Sequence, residues 1–253
     1  MRLHLVVNEA RLQWYEMRQY WFETVSGLLF ICAIFLGLFY GIKSFVVPEG
    51  EEQTLDGLLF GFLLWTFASG AYGSITKSII EDTQRGYIEH LFLCPQGVVQ
   101  LLLSRAMADM LMSFVTLVLV AYVVMALTGN WLSINFLYFY GLLMLAAPSL
   151  VGLGLMISGF ALVFKKVETV GAMLTLGLMG LVALDGLPVS PLTLLPFVPG
   201  ASLTREVILH NAAMNYQHLV IVLANSAAYL SVGWWVFNVC AKAAKKRNLI
   251  GQY

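Results

Sequence analysis

The stretch DMLMSFVTLVLVAYVVMALTGNWLSINFLYFYGLLMLAAPSLVGLGLMISGFALVFK, residues 109–165, has no charged side chain between Asp109 and Lys165. Shorter charge-free apolar tracts occupy residues 24–42, 57–76, 169–184 and 207–241. Because the hydrocarbon core of a bilayer is ~30 Å thick, about 20 apolar residues in helical form are needed to cross it. These tracts therefore predict a polytopic membrane protein.

The composition of the whole chain agrees with this interpretation. Hydrophobic residues make up 60% of it, charged residues make up 11%, and the mean hydropathy is +0.82. Soluble domains carry about 25% charged residues. The three cysteines, Cys32, Cys94 and Cys240, lie far apart in unlike segments and do not suggest a disulfide framework.

We expect an all-α fold that forms a single transmembrane domain over residues 1–253. Six spans are predicted, at residues 24–46, 57–80, 106–127, 134–164, 169–187 and 216–241. The fourth is overlong and contains Pro148, which predicts a tilt or kink. Proline removes an intrahelical hydrogen bond, so a neighbouring helix or water must satisfy the freed backbone group.

Residues 1–22 predict an amphipathic helix rather than a signal peptide. Charged residues such as Glu9 and Glu16 interrupt the apolar core that a signal peptide needs. Apolar side chains recur at steps of three and four residues on one face, and polar ones lie on another. The apolar face comprises Val6, Ala10, Trp14, Met17 and Trp21, and the other face Glu9, Gln13, Glu16 and Gln19. Such a helix lies in the plane of the membrane interface, although it could instead pack on its own protein.

The distribution of basic residues predicts that both termini are cytoplasmic, because cytoplasmic loops collect Lys and Arg. In that orientation only Lys43 and Arg205 of the 14 basic residues lie outside. The 12 on the cytoplasmic side are Arg2, Arg11, Arg18, Lys77, Arg85, Arg105, Lys165, Lys166, Lys242, Lys245, Lys246 and Arg247.

Two connections are longer than simple turns. Residues 81–105 form a cytoplasmic segment in which charged residues alternate with apolar residues in a helix-like pattern. Residues 188–211 lie on the outer side and contain four prolines in an apolar context. Because irregular backbone survives at membrane depth only where protein or water satisfies it, this external segment is predicted to be re-entrant; an ordinary interfacial loop is the alternative.

The sequence lacks the usual signals of catalysis. No glycine is followed by lysine, so the phosphate loop G-x-x-x-x-G-K-[ST] is absent, and no H-E-x-x-H occurs. We expect no catalytic residue and no metal site in this chain. Asp109 and Asp185 are the carboxylates nearest the membrane core, and both are placed within about one turn of the end of a predicted span. At such a position, water access suffices and a special role is not required.

The segment EDTQRGYIEHLFLCP, residues 81–95, is the most informative motif. It resembles the first cytoplasmic loop of the permease subunits of type-2 ABC exporters, in which a glutamate precedes G-x-[LI]-E-x-L and then a proline. The matching residues here are Glu81, Gly86, Ile88, Glu89, Leu91 and Pro95. Tyr87 and Cys94 depart from the residues that are common in that family. The topology is similar to that of the family over nearly the whole chain.

This resemblance implies a transport permease in the plasma (inner) membrane that dimerises with itself or a related permease. It also implies a separate ABC ATPase subunit that binds ATP and Mg, so that this chain needs no cofactor of its own. The segment at residues 81–92 would dock on that ATPase as a short coupling helix. Its candidate contact residues are Glu81, Asp82, Arg85, Gly86, Tyr87, Ile88, Glu89, Leu91 and Phe92. We expect no nucleic-acid partner.

The substrate is less defined by the sequence. The family moves drugs, lipids and glycan precursors, so an amphipathic or lipid-like substrate is expected. Aromatic and methionine residues of spans two and five could line its path, namely Phe60, Trp65, Phe67, Met173 and Met179. An ATPase-independent secondary transporter would show coupling-ion carboxylates or broken helices in matched halves. An intramembrane lipid-modifying enzyme would show clustered polar residues at membrane depth. Neither pattern is present in the sequence.

Overall fold

The computed structural model describes residues 3–46, 52–84, 91, 93, 97–129, 131, 134–164, 167–188, 190–210 and 212–246. Within these ranges the chain folds into eight α-helices and one short 3₁₀ helix, with no β-strand. In chain order the helices are α1 (Leu3–Gln19), α2 (Trp21–Val46), α3 (Glu52–Gln84), α4 (Val98–Thr128), α5 (Phe136–Phe164), α6 (Glu168–Ala183), the 3₁₀ helix Pro191–Leu194, α7 (Val198–Ile208) and α8 (Tyr216–Lys246).

In the described part of the chain, five helices are long and apolar enough to cross a membrane, namely α2, α3, α4, α5 and α8. The fifth predicted span, at residues 169–187, corresponds to α6, which has only 16 residues. At 1.5 Å per residue α6 is ~24 Å long, which is shorter than a hydrocarbon core of ~30 Å. A crossing completed by α6 together with the backbone that follows it stays a prediction.

The helices extend beyond the apolar tracts on either side of the first cytoplasmic connection. Residues 81–84 continue α3, and residues 98–105 already belong to α4. The connection is therefore shorter than the predicted segment 81–105, because a helix can continue past the membrane wherever its backbone stays hydrogen-bonded. Asp109 consequently lies about three turns inside α4. Its predicted place within about one turn of the end of the membrane span stays a prediction.

The most extensive helix pair is α5 with α8, whose backbones are in direct contact. A Cβ atom on Gly152 would lie 2.8 Å from the Leu230 nitrogen and closer still to the Tyr229 carbonyl. Gly233 faces the Gly152 backbone in the same way, and a Cβ on Gly159 would lie 3.1 Å from the Phe237 Cα. Glycine at these three positions is what allows the two helices to approach so closely.

Pro148 lies inside α5 as predicted, and α8 contacts the backbone of the turn that precedes it. The Ser226 hydroxyl of α8 donates to the Leu145 carbonyl at 2.9 Å. The carbonyl that loses its helical donor to Pro148 is that of Met144, one residue before this contact. That a neighbouring helix or water satisfies the freed carbonyl itself stays a prediction.

The external segment packs against α5 and α8. Asn225 of α8 donates to the carbonyls of Thr193 and Leu195, at 3.0 and 3.2 Å, and the Tyr229 hydroxyl donates to the Leu194 carbonyl at 2.9 Å. A Cβ on Gly200 of α7 would overlap the side chain of Ala146, ten residues along α5 from Phe136. Ten helical residues span ~15 Å, so the contact is far from the end of α5.

Phe197 immediately precedes α7 and has φ of 67°, in the left-handed region that side chains other than glycine rarely adopt. Its ring is buried and stacks on Phe67 of α3, with the ring centroids 6.2 Å apart. The start of α7 is thereby fixed against the centre of the helix bundle.

Candidate functional site: two clefts beside helix α3

One face of α3 carries small and polar residues at helical spacing. Its members are Ser69, Gly70, Gly73, Lys77 and Glu81, and we call them the α3 cleft face. Steps of three and four residues place all five on one side of the helix. Because three of the five are glycine or serine, neighbouring helices leave open space here, and a cleft lies on each side of this face.

The larger cleft has a volume of about 1030 Å³ and lies between α2, α3, α4 and α6. We call it the apolar cleft, since most of its lining is apolar. Trp65 and Phe67 line it, and the Trp65 indole donates to the Thr175 carbonyl at 3.3 Å, which ties α3 to α6. Its size falls at the upper end of the range typical of small-molecule sites.

Tyr72 also lines the apolar cleft, and its side chain is almost completely buried, with only 2% of its surface exposed. Its hydroxyl has no partner in hydrogen-bonding geometry. The Thr76 hydroxyl lies beside the Tyr72 phenol and donates to the Tyr72 main-chain carbonyl at 3.1 Å. Buried polar groups without a partner are rare in folded proteins and need an explanation.

The structure divides the predicted substrate-path residues. Trp65 and Phe67 line the apolar cleft, whereas Phe60 packs edge-on against Phe139 in the core, at a centroid distance of 5.4 Å. Met173 and Met179 are exposed on α6, with 68% and 49% of their surface accessible, and neither lines the cleft. A path that includes all five residues stays a prediction. Sequence reasoning missed Tyr72, because an aromatic residue in an apolar helix gives no sign that its hydroxyl is unused.

The second cleft has a volume of about 540 Å³ and lies between α1, α3 and α4. We call it the polar cleft. Arg105 of α4 is its central residue and forms an ion pair with Asp82 of α3 at 2.9 Å and with Glu9 of α1 at 3.6 Å. Arg105 also donates to the Ser78 hydroxyl at 2.9 Å. One side chain therefore connects three helices.

A second polar contact joins α1 to α4: the Gln13 side-chain amide donates a hydrogen bond to the Asp109 carboxylate. Burial raises the pKa of Glu9 above its usual range, and the nearby Arg105 guanidinium opposes that rise. Two residues of the predicted polar face of α1, Glu9 and Gln13, therefore contact α4. Trp14 and Trp21 of the predicted apolar face are exposed instead.

Packing of α1 on its own protein was the alternative that the sequence left open, but its contact with α4 was not identified, although the sequence holds a partial sign of it. Glu9 and Gln13 are one turn apart on α1, and Arg105 and Asp109 are one turn apart on α4. Such spacing presents each pair on one helix face. The sequence does not show that Glu9 contacts Arg105 and Gln13 contacts Asp109; the tertiary structure does.

The predicted coupling residues are described only in part. Glu81 and Asp82 lie in the last turn of α3 and line the polar cleft, and Leu91 is buried. Arg85, Gly86, Tyr87, Ile88, Glu89 and Phe92 lie outside the described residues. Among the described residues, no group of three His, Cys, Asp or Glu side chains could hold a metal ion.

Comparison with known families decides the class of protein. A sequence model of the ABC-2 type transporter family matches residues 7–182, which is more than half of the chain. The chain belongs to the ABC-2 type transporter family. This ABC-2 protein is therefore a multi-pass membrane permease, and the match includes every helix that lines the two clefts. A search of curated proteins gave no match.

Proposed function

We propose that this ABC-2 permease is the membrane subunit of an exporter that moves an amphipathic or lipid-like substrate, driven by a separate ATPase. The observation that carries the proposal is the position of Glu81. It begins the motif that resembles the family's coupling segment, and it also belongs to the α3 cleft face. A displacement of the coupling segment would therefore reach the cleft walls through one continuous helix.

The contacts of Arg105 extend this connection to other helices. Asp82, next to Glu81, is paired with Arg105 at 2.9 Å, and Arg105 is paired with Glu9. ATP and Mg would bind to the ATPase, and its closure would move α3, α4 and α1 together. Because the ion pairs of Arg105 with Asp82 and Glu9 join three helices, they would transmit a movement of α3 to α4 and α1.

The functional unit would contain two permease chains, identical or related, with α2 and α6 near the shared axis. Both helices leave a row of large apolar side chains uncovered, such as Leu29 and Phe30 on α2 and Met173 and Leu176 on α6. A second copy would cover this surface, and lipid would cover the remainder. Both termini would face the cytoplasm at the inner membrane, since 12 of the 14 basic residues then lie on that side. The external segment 188–211 would be re-entrant from the outer side, as the contacts of Asn225 and Tyr229 support.

The test is co-purification of the ATPase with variants of the coupling segment. Glu89→Arg reverses a charge of the motif, and Gly86→Leu adds bulk at its glycine. Disrupting a desolvated charge pair typically costs about 2–5 kcal/mol, so ATPase association should weaken by more than tenfold. Glu23→Arg, at an exposed carboxylate of α2 that lines neither cleft, is the matched control.

We expect both coupling variants to insert and dimerise like wild type while ATP-driven transport is lost. If both retain wild-type assembly and transport, the coupling role is not in this segment. Loss of both activities on Lys165→Glu alone would assign the role to the second cytoplasmic loop.

A further inference from the structure

The lining of the apolar cleft changes in chemical character along α3. Trp65 and Phe67 line one end of it, and Lys77 and Glu81 line the end nearest the last turn of α3. Glu81 lies 16 residues after Trp65, a rise of ~24 Å along the helix axis. One leaflet of a bilayer with its headgroup region is ~20 Å deep. The cleft therefore has about the length of a lipid molecule, with an apolar end and a charged end.

Helix α6 forms the opposite wall and runs antiparallel to α3. The Trp65 indole donates to the Thr175 carbonyl at 3.3 Å, whereas a Cβ on Gly171 would lie 3.9 Å from the Thr76 methyl group. Glu168, the first residue of α6, therefore lies toward the last turn of α3. The charged side chains described in the lining of the apolar cleft are thus gathered at one end of it.

Two buried hydroxyls of the lining lie between these ends. Ser69 and Tyr72 both line the cleft, and neither hydroxyl oxygen has a hydrogen-bond partner among the described residues. Other hydroxyls of α3, such as those of Thr66 and Ser74, donate to carbonyls of their own helix at 2.8 and 2.9 Å. The Tyr72 hydroxyl is on the α6 side, 3.7 Å from the position of a Cβ on Gly171. Because a buried donor without an acceptor costs free energy, both hydroxyls are suited to acceptors of a ligand.

The apolar end of the cleft is continuous with the outer surface of α6. Leu176 lines the cleft and yet has 69% of its surface exposed. The neighbouring Met173 extends this exposed apolar surface. A hydrocarbon chain longer than the cleft would therefore continue along α6 without meeting a polar barrier.

We infer that the apolar cleft binds one ester-linked glycerolipid. Its acyl chains lie beside Trp65, and its two ester carbonyls accept hydrogen bonds from Ser69 and Tyr72. Its headgroup lies beside Lys77 and Glu81. The parts of such a lipid follow the same order as the lining: hydrocarbon, carbonyl acceptors, then a polar headgroup. This inference names the substrate class of the proposed function and rests on it.

Other ligands of this size fit the lining less well. A saccharide would bury many hydroxyls, and a mostly apolar lining would leave them without partners. A plain hydrocarbon would leave the hydroxyls of Ser69 and Tyr72 unsatisfied. An ester carbonyl only accepts hydrogen bonds, so each hydroxyl can act as the donor that it supplies.

Two phosphatidylcholines with the same chains and headgroup provide the test. Dioleoyl phosphatidylcholine has two ester carbonyls, and its dioleyl diether analogue has a methylene group in place of each. Each lipid is titrated into the delipidated permease in detergent micelles, and native mass spectrometry measures the dissociation constant of the first bound lipid. We expect wild type to bind the ester lipid about tenfold more tightly than the diether, because the diether forms neither hydrogen bond.

Three variants and a control separate the contributions. Tyr72→Phe and Ser69→Ala should each weaken binding of the ester lipid several-fold and should not weaken binding of the diether, which uses neither hydroxyl. The double variant should bind the two lipids equally. Tyr140→Phe is the matched control, because Tyr140 lines neither cleft and its hydroxyl donates to the Met110 carbonyl. This control should keep the tenfold preference. Elution volume and helical circular dichroism confirm that each variant is folded.

The inference is overturned if folded wild-type protein binds neither lipid, if it binds the two lipids equally, or if the double variant keeps the preference for the ester. Loss of the preference in Tyr140→Phe would also overturn it, because the effect would then not be local to the cleft. ATPase association together with equal binding of the two lipids refutes this inference alone. A preference for the ester in a chain that recruits no ATPase refutes the proposed function instead.

Discussion

The contact between α5 and α8 leads to a sharp prediction about stability. Replacing Gly152 by Ala puts a Cβ atom onto the Tyr229 carbonyl and 2.8 Å from the Leu230 nitrogen. A carbon atom approaches a carbonyl oxygen only to about 3.3 Å without repulsion, so the two helices must separate by about 1 Å. Overpacking of this kind costs about 1–3 kcal/mol.

The matched control is Gly141→Ala on the same helix, where a Cβ meets nothing within 4 Å. There the substitution should stabilise α5 by up to about 1 kcal/mol, since alanine favours helix more than glycine does. The expected difference in unfolding free energy between the two variants is therefore about 1–4 kcal/mol. It is measured by unfolding the purified protein in mixed micelles of increasing denaturing-detergent fraction, followed by circular dichroism.

Gly233→Ala should cost about as much as Gly152→Ala, because its Cβ would meet the Gly152 backbone from the other side. The double variant should cost less than the sum of the two, since helices that have already separated leave room for the second methyl group. If Gly152→Ala is as stable as Gly141→Ala, the backbones of α5 and α8 are not in contact and the helix packing described here is wrong.

Three further outcomes are expected. Asn225→Leu should lower the free energy of unfolding by about 1–3 kcal/mol, because two carbonyls of the external segment lose their donor. The control is Asn238→Leu, whose amide donates to the Trp234 carbonyl of its own helix and whose loss should change the free energy of unfolding little. Equal losses in the two variants would contradict the role of Asn225. The pKa of Glu9 is raised in the folded protein, so the folded state binds its proton more tightly than the unfolded state does. This contribution to the free energy of unfolding is fully present below the unfolded-state pKa of ~4.3. It is lost as the pH rises through the higher pKa of the folded state. The melting temperature of wild type relative to Glu9→Gln should therefore increase as the pH falls, and a gap that shrinks would refute this direction. Finally, a variant whose sole cysteine is Cys94 should resist a membrane-impermeant maleimide in intact cells, and labelling from outside would reverse the predicted topology.

Much of the helical layout could be predicted because apolar tracts and helices coincide in this class of protein. The spans at 134–164 and 216–241 agree closely with α5 and α8. Hydropathy does not report where a helix ends in water, so the beginning of α4 at Val98 was missed. It also does not separate a full crossing from a shorter apolar helix, and the 16 residues of α6 show the difference.

The candidate site was less accessible to sequence reasoning. Trp65 and Phe67 were named because aromatic residues stand out in a span, and both line the apolar cleft. Phe60 has the same character but faces the core, since which side of a buried helix faces a cavity depends on its neighbours. The polar cleft could not be predicted at all. It exists because α1 returns to pack on α4, a contact between residues such as Gln13 and Asp109 that are far apart in the chain.

The conformation of Phe197 has a consequence for how binding and movement are linked. A residue other than glycine in the left-handed region stores about 1–3 kcal/mol, and it stays there only while its surroundings hold it. One of those surroundings is the ring of Phe67, which also forms part of the wall of the apolar cleft. A molecule that fills the cleft and displaces the Phe67 ring would therefore weaken the support of Phe197. Relaxation of Phe197 would then free the start of α7, so occupancy of the cleft and the position of the external segment are thermodynamically coupled.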